Sequence, residues 1–223
     1  MKLENVVPWG RNLNEYTKMF ALSDKDLSAK ILACADGPSS FNQELTQQNG
    51  NVTSIDPIYQ FSTIDINHRI DETASSIIEH LEKEKDNYLW NSIPDIDQLK
   101  KIRMQAMHNF LQDYEKGKQE KRYRFASLPT LPFQNKEFEL VLCSHFLFLY
   151  SEHLGFDFHL QAILEMLRVG KEVRIFPLVD LEAKASHHLD PLIKVLEEKG
   201  YKTAIEKVGY EFQKGGNHVL KIS

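Results

Sequence analysis

Three short stretches carry residues whose types and spacing could do chemistry. The first is "ILACADGPSSF", residues 31–41, an apolar run that ends on Asp36-Gly37-Pro38 and passes at once into a polar, helix-starting segment. Gly37 permits a close backbone approach, and the N–H groups at the start of the following helix are expected to be open to a ligand. The second is "VTSIDP", where Asp56 ends another apolar run and Pro57 forces the chain out of it. An acid placed about 20 residues after a glycine turn can accept hydrogen bonds from a ribose. The competing reading is a tight turn plus an Asp that caps the next helix. The third is "CSHFLFLY", residues 143–150, which sets Ser144 and His145 at the end of an apolar run. Imidazole titrates near working pH, so His145 is the candidate general base, against a purely structural hydrogen-bonded His.

These residues need a scaffold that brings strand ends together. Apolar runs and helical patterns alternate, which predicts an α/β domain with a mostly parallel sheet and helices on both faces. Strands are expected near 30–35, 51–56, 122–126, 138–143 and 171–176. Ser40 and Gln43 have capping-box spacing at the start of the first intervening helix, Pro38 would open it, and Gly50 stands as its C-terminal stop. Ile70, Ala74, Ile77, Ile78 and Leu81 recur at helical spacing, as do Leu99, Ile102, Ala106, Phe110 and Tyr114 after Pro94. Two helices exceed what one crossover needs, so residues 87–120 read as a helical insertion. The C-terminal "YKTAIEKVGYEFQKGGNHVLKIS" reads as a long strand, a Gly215-Gly216-Asn217 turn and a short strand, an antiparallel hairpin.

The 223 residues suit a single domain, and the formal net charge of −5 argues against wholesale nucleic-acid coating. Cys34 and Cys143 both sit in apolar runs and read as buried thiols of a reducing cytoplasm. The opening "MKLENVVPWGRNLNEY" turns polar too soon for a leader, and no apolar run reaches membrane-spanning length. The expected protein is cytoplasmic and without a membrane partner. Its histidines lack tight metal-ligand spacing, so no metal is expected. The basic run "KGKQEKRYR", residues 116–124, reads as a solvated loop before it reads as an RNA contact.

A dinucleotide turn wants G-x-G-x-x-G, whereas this one has Ala35 and Ser39 where glycines would stand, which disfavours a pyrophosphate. Over almost its full length the chain resembles the class I S-adenosylmethionine-dependent methyltransferases. "ILACADGP" is similar to their first motif, "VTSIDP" to their second strand with its ribose-binding acid, and "FASLPTLPFQNKEFELVLCSHFLFLY" to the third and fourth strands. The resemblance is nearest to a bacterial group of unassigned substrate with "PWGR…EY…MF" and "YEFQKGGN". It implies a Rossmann-like seven-stranded sheet with an antiparallel last strand, and S-adenosyl-L-methionine as cofactor. It further implies that Ala35, Asp36 and Gly37 lie along the methionine and ribose, that Asp56 holds the ribose hydroxyls, and that Pro57 lies beside the adenine. Ser127 stands where many members read the adenine amino group with an Asp, Leu128 would pack on the ring, and Cys143 and Ser144 would floor the methionine site. The chain departs from the pattern at Ala33, Ala35, Ser39 and Ser127.

With such a cofactor, a segment at about 8–22 could close as a lid, offering Arg11 as a cation and Tyr16 as a hydroxyl for the methionine carboxylate. The Asn-Pro-Pro-aromatic motif of amino-group methylation is absent. The expected function is therefore methylation of a small-molecule acceptor. The alternatives are a non-catalytic S-adenosylmethionine-binding protein and an RNA methyltransferase. Removal of Asp56 is expected to weaken cofactor binding while leaving stability nearly unchanged.

Overall fold

Strand side chains alternate between the two faces of a sheet, and here that alternation sorts the core. Leu32, Cys34, Val141 and Cys143 face one apolar cluster, while Ile31, Ala33, Leu140 and Leu142 face another. A computed structural model of the chain describes residues 9–91 and 93–223. Residues 1–8, which include the start of the stretch weighed as a leader and Pro8 of the expected lid, lie outside the described residues. In chain order the elements are α1 Leu13–Met19, α2 Asp24–Leu27, β1 Lys30–Cys34, α3 Phe41–Gln47, β2 Asn51–Ile55, α4 Thr63–Lys83 and α5 Ile96–Gln119. There follow β3 Tyr123–Arg124, β4 Phe138–Ser144, α6 Phe156–Val169, β5 Gly170–Phe176, α7 Leu189–Glu198, β6 Thr203–Lys207 and β7 His218–Ile222.

The seven strands run β3-β2-β1-β4-β5-β7-β6, parallel except for β7, which is antiparallel to both β5 and β6. One face is covered by α6 and α7 through Ile163, Met166, Leu192 and Leu196, the other by α1 and α3 through Met19, Phe41 and Leu45. The expected α/β architecture is the observed one. Register then aligns the strand ends. Cys34 pairs with Ile55 on one side and Cys143 on the other, and Ser144 pairs with Phe176. The residues that follow, Ala35, Asp56 and His145, therefore open on one edge, where the strand order reverses between β1 and β4.

Local details differ from expectation in instructive ways. Ser40 does not cap α3: its backbone is already helical and its hydroxyl bonds the Glu44 carboxylate at 2.6 Å. The cap comes one residue earlier, from Ser39 Oγ, which accepts from Phe41 N at 3.1 Å. Pro38 thus precedes the helix and does not open it. The left-handed residue after α3 is Asn49, at φ 63°, one position before Gly50. The C-terminal strands are antiparallel neighbours, but β6 ends at Lys207 and residues 208–217 form a long loop where a tight turn was expected.

Of the two helices between β2 and β3, α5 rests on α3 and β3 while α4 packs on α5. The N-terminal helix expected as a lid is largely core: Leu13, Tyr16, Met19 and Phe20 are buried beneath the sheet with Phe41. Cys34 and Cys143 are buried free thiols, and burial pushes the Cys143 thiol up to about 12. No helix among the described residues is long and apolar enough to cross a membrane.

Candidate functional site

The turn after β1 is built from two left-handed residues, Ala35 at φ 52° and Gly37 at φ 57°. A side chain at Gly37 would meet open space, so glycine serves the backbone conformation there and not a close approach. Several of the turn's N–H groups, expected to be open, are already bonded within the chain. Asp36 N donates to Ile55 O, Gly37 N to Asp56 Oδ2 at 3.0 Å, and Ser40 N to Arg11 O. Asp56 also accepts from Ile58 N at 2.9 Å, capping the 3-10 turn Pro57–Gln60. Burial lifts the Asp56 carboxyl to about 6, against the pull of these two donors. The capping reading of Asp56 is therefore observed, and the same residue borders the cavity described below.

Asp36 is buried, and both its oxygens are engaged. Tyr16 donates its hydroxyl to Oδ1 at 2.5 Å, and Ser54 Oγ donates to Oδ2 at 2.5 Å. Burial raises this carboxyl to about 6; the Ser54 and Tyr16 bonds oppose the rise and the Asp56 charge adds to it. Tyr16, expected to present its hydroxyl to a cofactor carboxylate, gives it to Asp36 and stacks its ring on Phe41, centroids 4.2 Å apart.

At the end of β4, His145 takes a left-handed backbone, φ 50°, fixed by its N–H donating to Phe176 O at 2.7 Å. Its Nδ1 lies 2.8 Å from Ser144 Oγ, and its ring meets Phe176 edge-on. Burial first, then the Arg11 and Arg103 charges, hold its pKa well below the usual histidine range. The imidazole is neutral at pH 7 and can accept a proton.

Sequence reasoning missed the charged group beside it. Arg103 on α5 donates to Glu15 Oε2 at 2.6 Å, and Tyr210 donates to Glu15 Oε1 at 3.2 Å. Arg11 feels the Glu15 charge without bonding it, and burial followed by the Arg103 charge lowers the Arg11 pKa. Arg11 donates to Trp9 O, while its Nε finds no acceptor among the described residues. The signal was present: Arg103 falls within the apolar stripe of α5, between Leu99 and Ala106.

These groups surround a cavity of about 300 Å³. Arg11, Ala35, Asp36, Gly37, Asp56, Ser144 and His145 all line it. Tyr88 and Phe212, stacked at 5.0 Å, line it too, and Leu89 N donates to Phe212 O. Pro57 lines the cavity as well. Three expected residues do not. Ser127 is exposed on the bend after β3, bridged to Thr130. Leu128 is buried with Leu131 and Phe133, and Cys143 shares the face of Val141, turned into the α6–α7 side.

The basic run is also tied down. Arg122 clamps Asp113 at 2.6 and 2.9 Å and reaches Glu120 at 2.8 Å. Among the described residues no group of three His, Cys, Asp or Glu side chains is arranged to hold a metal ion.

Strand order, the antiparallel β7 and the cavity at the β1–β4 switch define a Rossmann-like, doubly wound α/β fold, the architecture that the resemblance to the class I S-adenosylmethionine-dependent methyltransferases implied. The chain belongs to the family of the uncharacterized protein MJ0045 of Methanocaldococcus jannaschii, with 40% identity over 223 residues, 100% of this chain and 98% of that one. That relative is archaeal, whereas the resemblance in sequence had pointed to a bacterial group. No family model matches the chain. Among solved structures it is similar to magnesium protoporphyrin IX methyltransferase of Synechocystis PCC 6803, at 11% identity, covering 89% and 76% of the two chains, TM-score 0.46. It is similar also to the PH0226 protein of Pyrococcus horikoshii OT3, at 14% identity, 87% and 81% coverage and TM-score 0.44. A methyltransferase of Aquifex aeolicus gives 12% identity, 93% and 90% coverage and TM-score 0.43. At these values the likeness is one of fold alone.

Proposed function

We propose that the protein is an S-adenosylmethionine-dependent methyltransferase acting on a small-molecule acceptor. One observation carries the reading: the Gly37 turn, Asp56, Ser144 and His145 border a single cavity at the point where strand order reverses. When bound, S-adenosylmethionine would supply a methyl group made electrophilic by its sulfonium. Asp56 would hold the ribose with its remaining lone pairs, Pro57 would lie beside the adenine, and Arg11, which lines the cavity, would offer its guanidinium charge to the methionine carboxylate. The stacked Tyr88 and Phe212 rings of the lining would take the acceptor, with neutral His145 receiving its proton. The cavity's volume of about 300 Å³ and its Tyr88 and Phe212 lining favour a small acceptor over RNA, and the internal ion pairs of Arg122 leave that part of the basic run little charge for phosphates. The free, buried Cys34 and Cys143 support a reducing, cytoplasmic setting.

The thermal-unfolding test uses S-adenosylmethionine, S-adenosylhomocysteine and NAD. A ligand at a hundred times its dissociation constant stabilises by about 2.7 kcal/mol. Both adenosyl compounds should raise Tm and NAD should not; stabilisation by NAD alone overturns the reading.

A second reading, a cofactor-binding protein without catalysis, is favoured by several of the turn N–H groups being bonded already within the chain. Incubation with methyl-labelled cofactor and cell extract separates the two, because only an enzyme moves label to another compound.

A further inference from the structure

The sheet ends on β6, and the bonds of that strand divide its backbone into an occupied side and an open one. Lys202 and Ser223 exchange both backbone bonds, at 2.8 and 3.0 Å, and Val208 N donates to Asn217 O at 2.9 Å. Along an antiparallel strand, residues that bond a given neighbour alternate with residues that do not. With the β6–β7 register, this turns the backbone groups of Lys202, Ala204, Glu206 and Val208 toward β7. Thr203, Ile205 and Lys207 therefore direct their N–H and C=O groups away from the sheet. Among the described residues no strand pairs that side. Ala204, Ile205, Glu206 and Lys207 are exposed, and Ile205, the cross-strand partner of the core residue Leu220, is 45% exposed.

Charged side chains usually guard such an edge against pairing. Here their order is one that a second copy of the same strand complements. An antiparallel pairing of β6 with itself has a two-fold axis at one residue, and each choice of residue sets different side chains opposite one another. With the axis at Thr203 or Ile205, no opposite charges of the strand meet. With the axis at Glu206 or Lys207, like charges meet. With the axis at Ala204, Lys202 faces the second copy's Glu206, and Thr203 faces the second copy's Ile205, each twice. Thr203 and Ile205 are both outward-bonding residues, so they exchange backbone hydrogen bonds across the axis. Lys202 bonds no acidic side chain among the described residues, and Glu206, 48% exposed, is held by Lys221 through one carboxylate oxygen.

We propose that the protein self-associates edge to edge through β6, about a two-fold axis at Ala204, joining two seven-stranded sheets into one. The contact is isologous and closes at the dimer. It is independent of the methyltransferase reading. Two short strands make a small interface, so the dimer is a reversible one that responds to concentration. The axis reverses strand direction, which leaves the two cavities at opposite edges of the joined sheet, neither covered by the other copy. Pairing fixes the strand from which the 208–217 loop departs, and that loop carries Tyr210 and Phe212 of the cavity lining.

The test combines sedimentation equilibrium of the full chain across the micromolar range with hydrogen exchange followed by nuclear magnetic resonance. A dimer should form as concentration rises, and the Thr203 and Ile205 amides should exchange more slowly as it does. Lys202→Glu alone, or Glu206→Lys alone, sets like charges in both cross-strand pairs. Either should raise the dissociation constant roughly 3- to 100-fold, and the double change should restore most of the affinity. Ile205→Pro removes an outward N–H, leaves the bonds to β7 in place and should abolish pairing. Thermal unfolding checks that each variant folds; the charge changes, at exposed positions, carry the test if the proline variant does not. A chain that stays monomeric overturns the proposal. So do a dimer whose Thr203 and Ile205 amides exchange as in the monomer, single charge changes without effect, and a double change that restores nothing.

Discussion

Asp56, at the end of β2, accepts the backbone N–H of Gly37 at 3.0 Å, so the acid of the second strand braces the turn of the first. The brace alters what its removal should do. Asp56→Ala strands two backbone donors, Gly37 N and Ile58 N, and should cost about 1–3 kcal/mol of stability without any ligand. The expectation of nearly unchanged stability does not allow for those bonds. S-adenosylhomocysteine affinity should fall on the order of 10- to 1000-fold, with Asp56→Asn between the two, since charge-assisted bonds contribute about 1.5–3 kcal/mol each. Urea unfolding and calorimetric titration read the two effects apart, and an unchanged affinity would remove Asp56 from the ribose site.

Ala35 sits at φ 52°, a region that costs an L-residue roughly 1–2 kcal/mol. Ala35→Gly removes that cost and returns about 0.4–1 kcal/mol to the unfolded chain's freedom. The net expectation is stabilisation of up to about 1 kcal/mol, read from the urea midpoint. A clear loss would show that the Ala35 methyl makes contacts worth more than the strain.

The folded Asp36 carboxyl takes its proton at about 6, and an unfolded one near 3.9. Between those values the native chain holds the extra proton. Its contribution to stability is therefore full below about pH 4 and is lost as pH rises through 6. At Glu15 burial is outweighed by the Arg103 charge and hydrogen bond acting together with the Arg11 charge and the Asn12 N–H, so the pKa is lowered, this group acts with the opposite sign and the total curve mixes the two. The difference between wild type and Asp36→Asn isolates the first effect. It should fall by a few kcal/mol from pH 4 to 6.5, at about 1.4 kcal/mol for each pH unit between the two pKa values. A difference that rises across this window contradicts the assignment.

Glu15 and Arg103 form a buried pair at 2.6 Å, side chains 8% and 1% exposed. Glu15→Gln leaves Arg103 and Arg11 without a counter-charge and should cost about 3–5 kcal/mol. Replacing both partners, Glu15→Gln with Arg103→Met, should cost less than the sum of the single changes by more than about 1 kcal/mol. Additive costs would mean that the two side chains do not depend on each other.

The sheet was legible because its strands are buried on both faces and read as unbroken apolar runs. "ILACA", "LVLC" and "VRIF" became β1, β4 and β5 within a residue or so of the expected bounds. The edge strand β3, two residues long, gave a weaker signal, and its surroundings misled. Ser127 and Leu128 follow it in sequence, yet the chain leaves the cavity there, one side chain to solvent and one to the core. Cap details were decided locally but by competition: Ser40 has the spacing of a cap, and Glu44 takes its hydroxyl instead.

The sequence by itself determined the turn at Gly37, the acid at Asp56 and the His145 rim, because each depends on residues near one another in the chain; the order of strands that aligns them rests on pairings such as Cys34 with Cys143, far apart in sequence. Only the tertiary structure decided what those groups bond to. Tyr16 lies 20 positions from Asp36, Arg103 lies 88 from Glu15, and Tyr210 lies 195 from Glu15. No periodicity records such pairings. They arise because the apolar faces of α1, α5 and the sheet exclude water, and each polar group caught between them must find the partner that folding brings within reach.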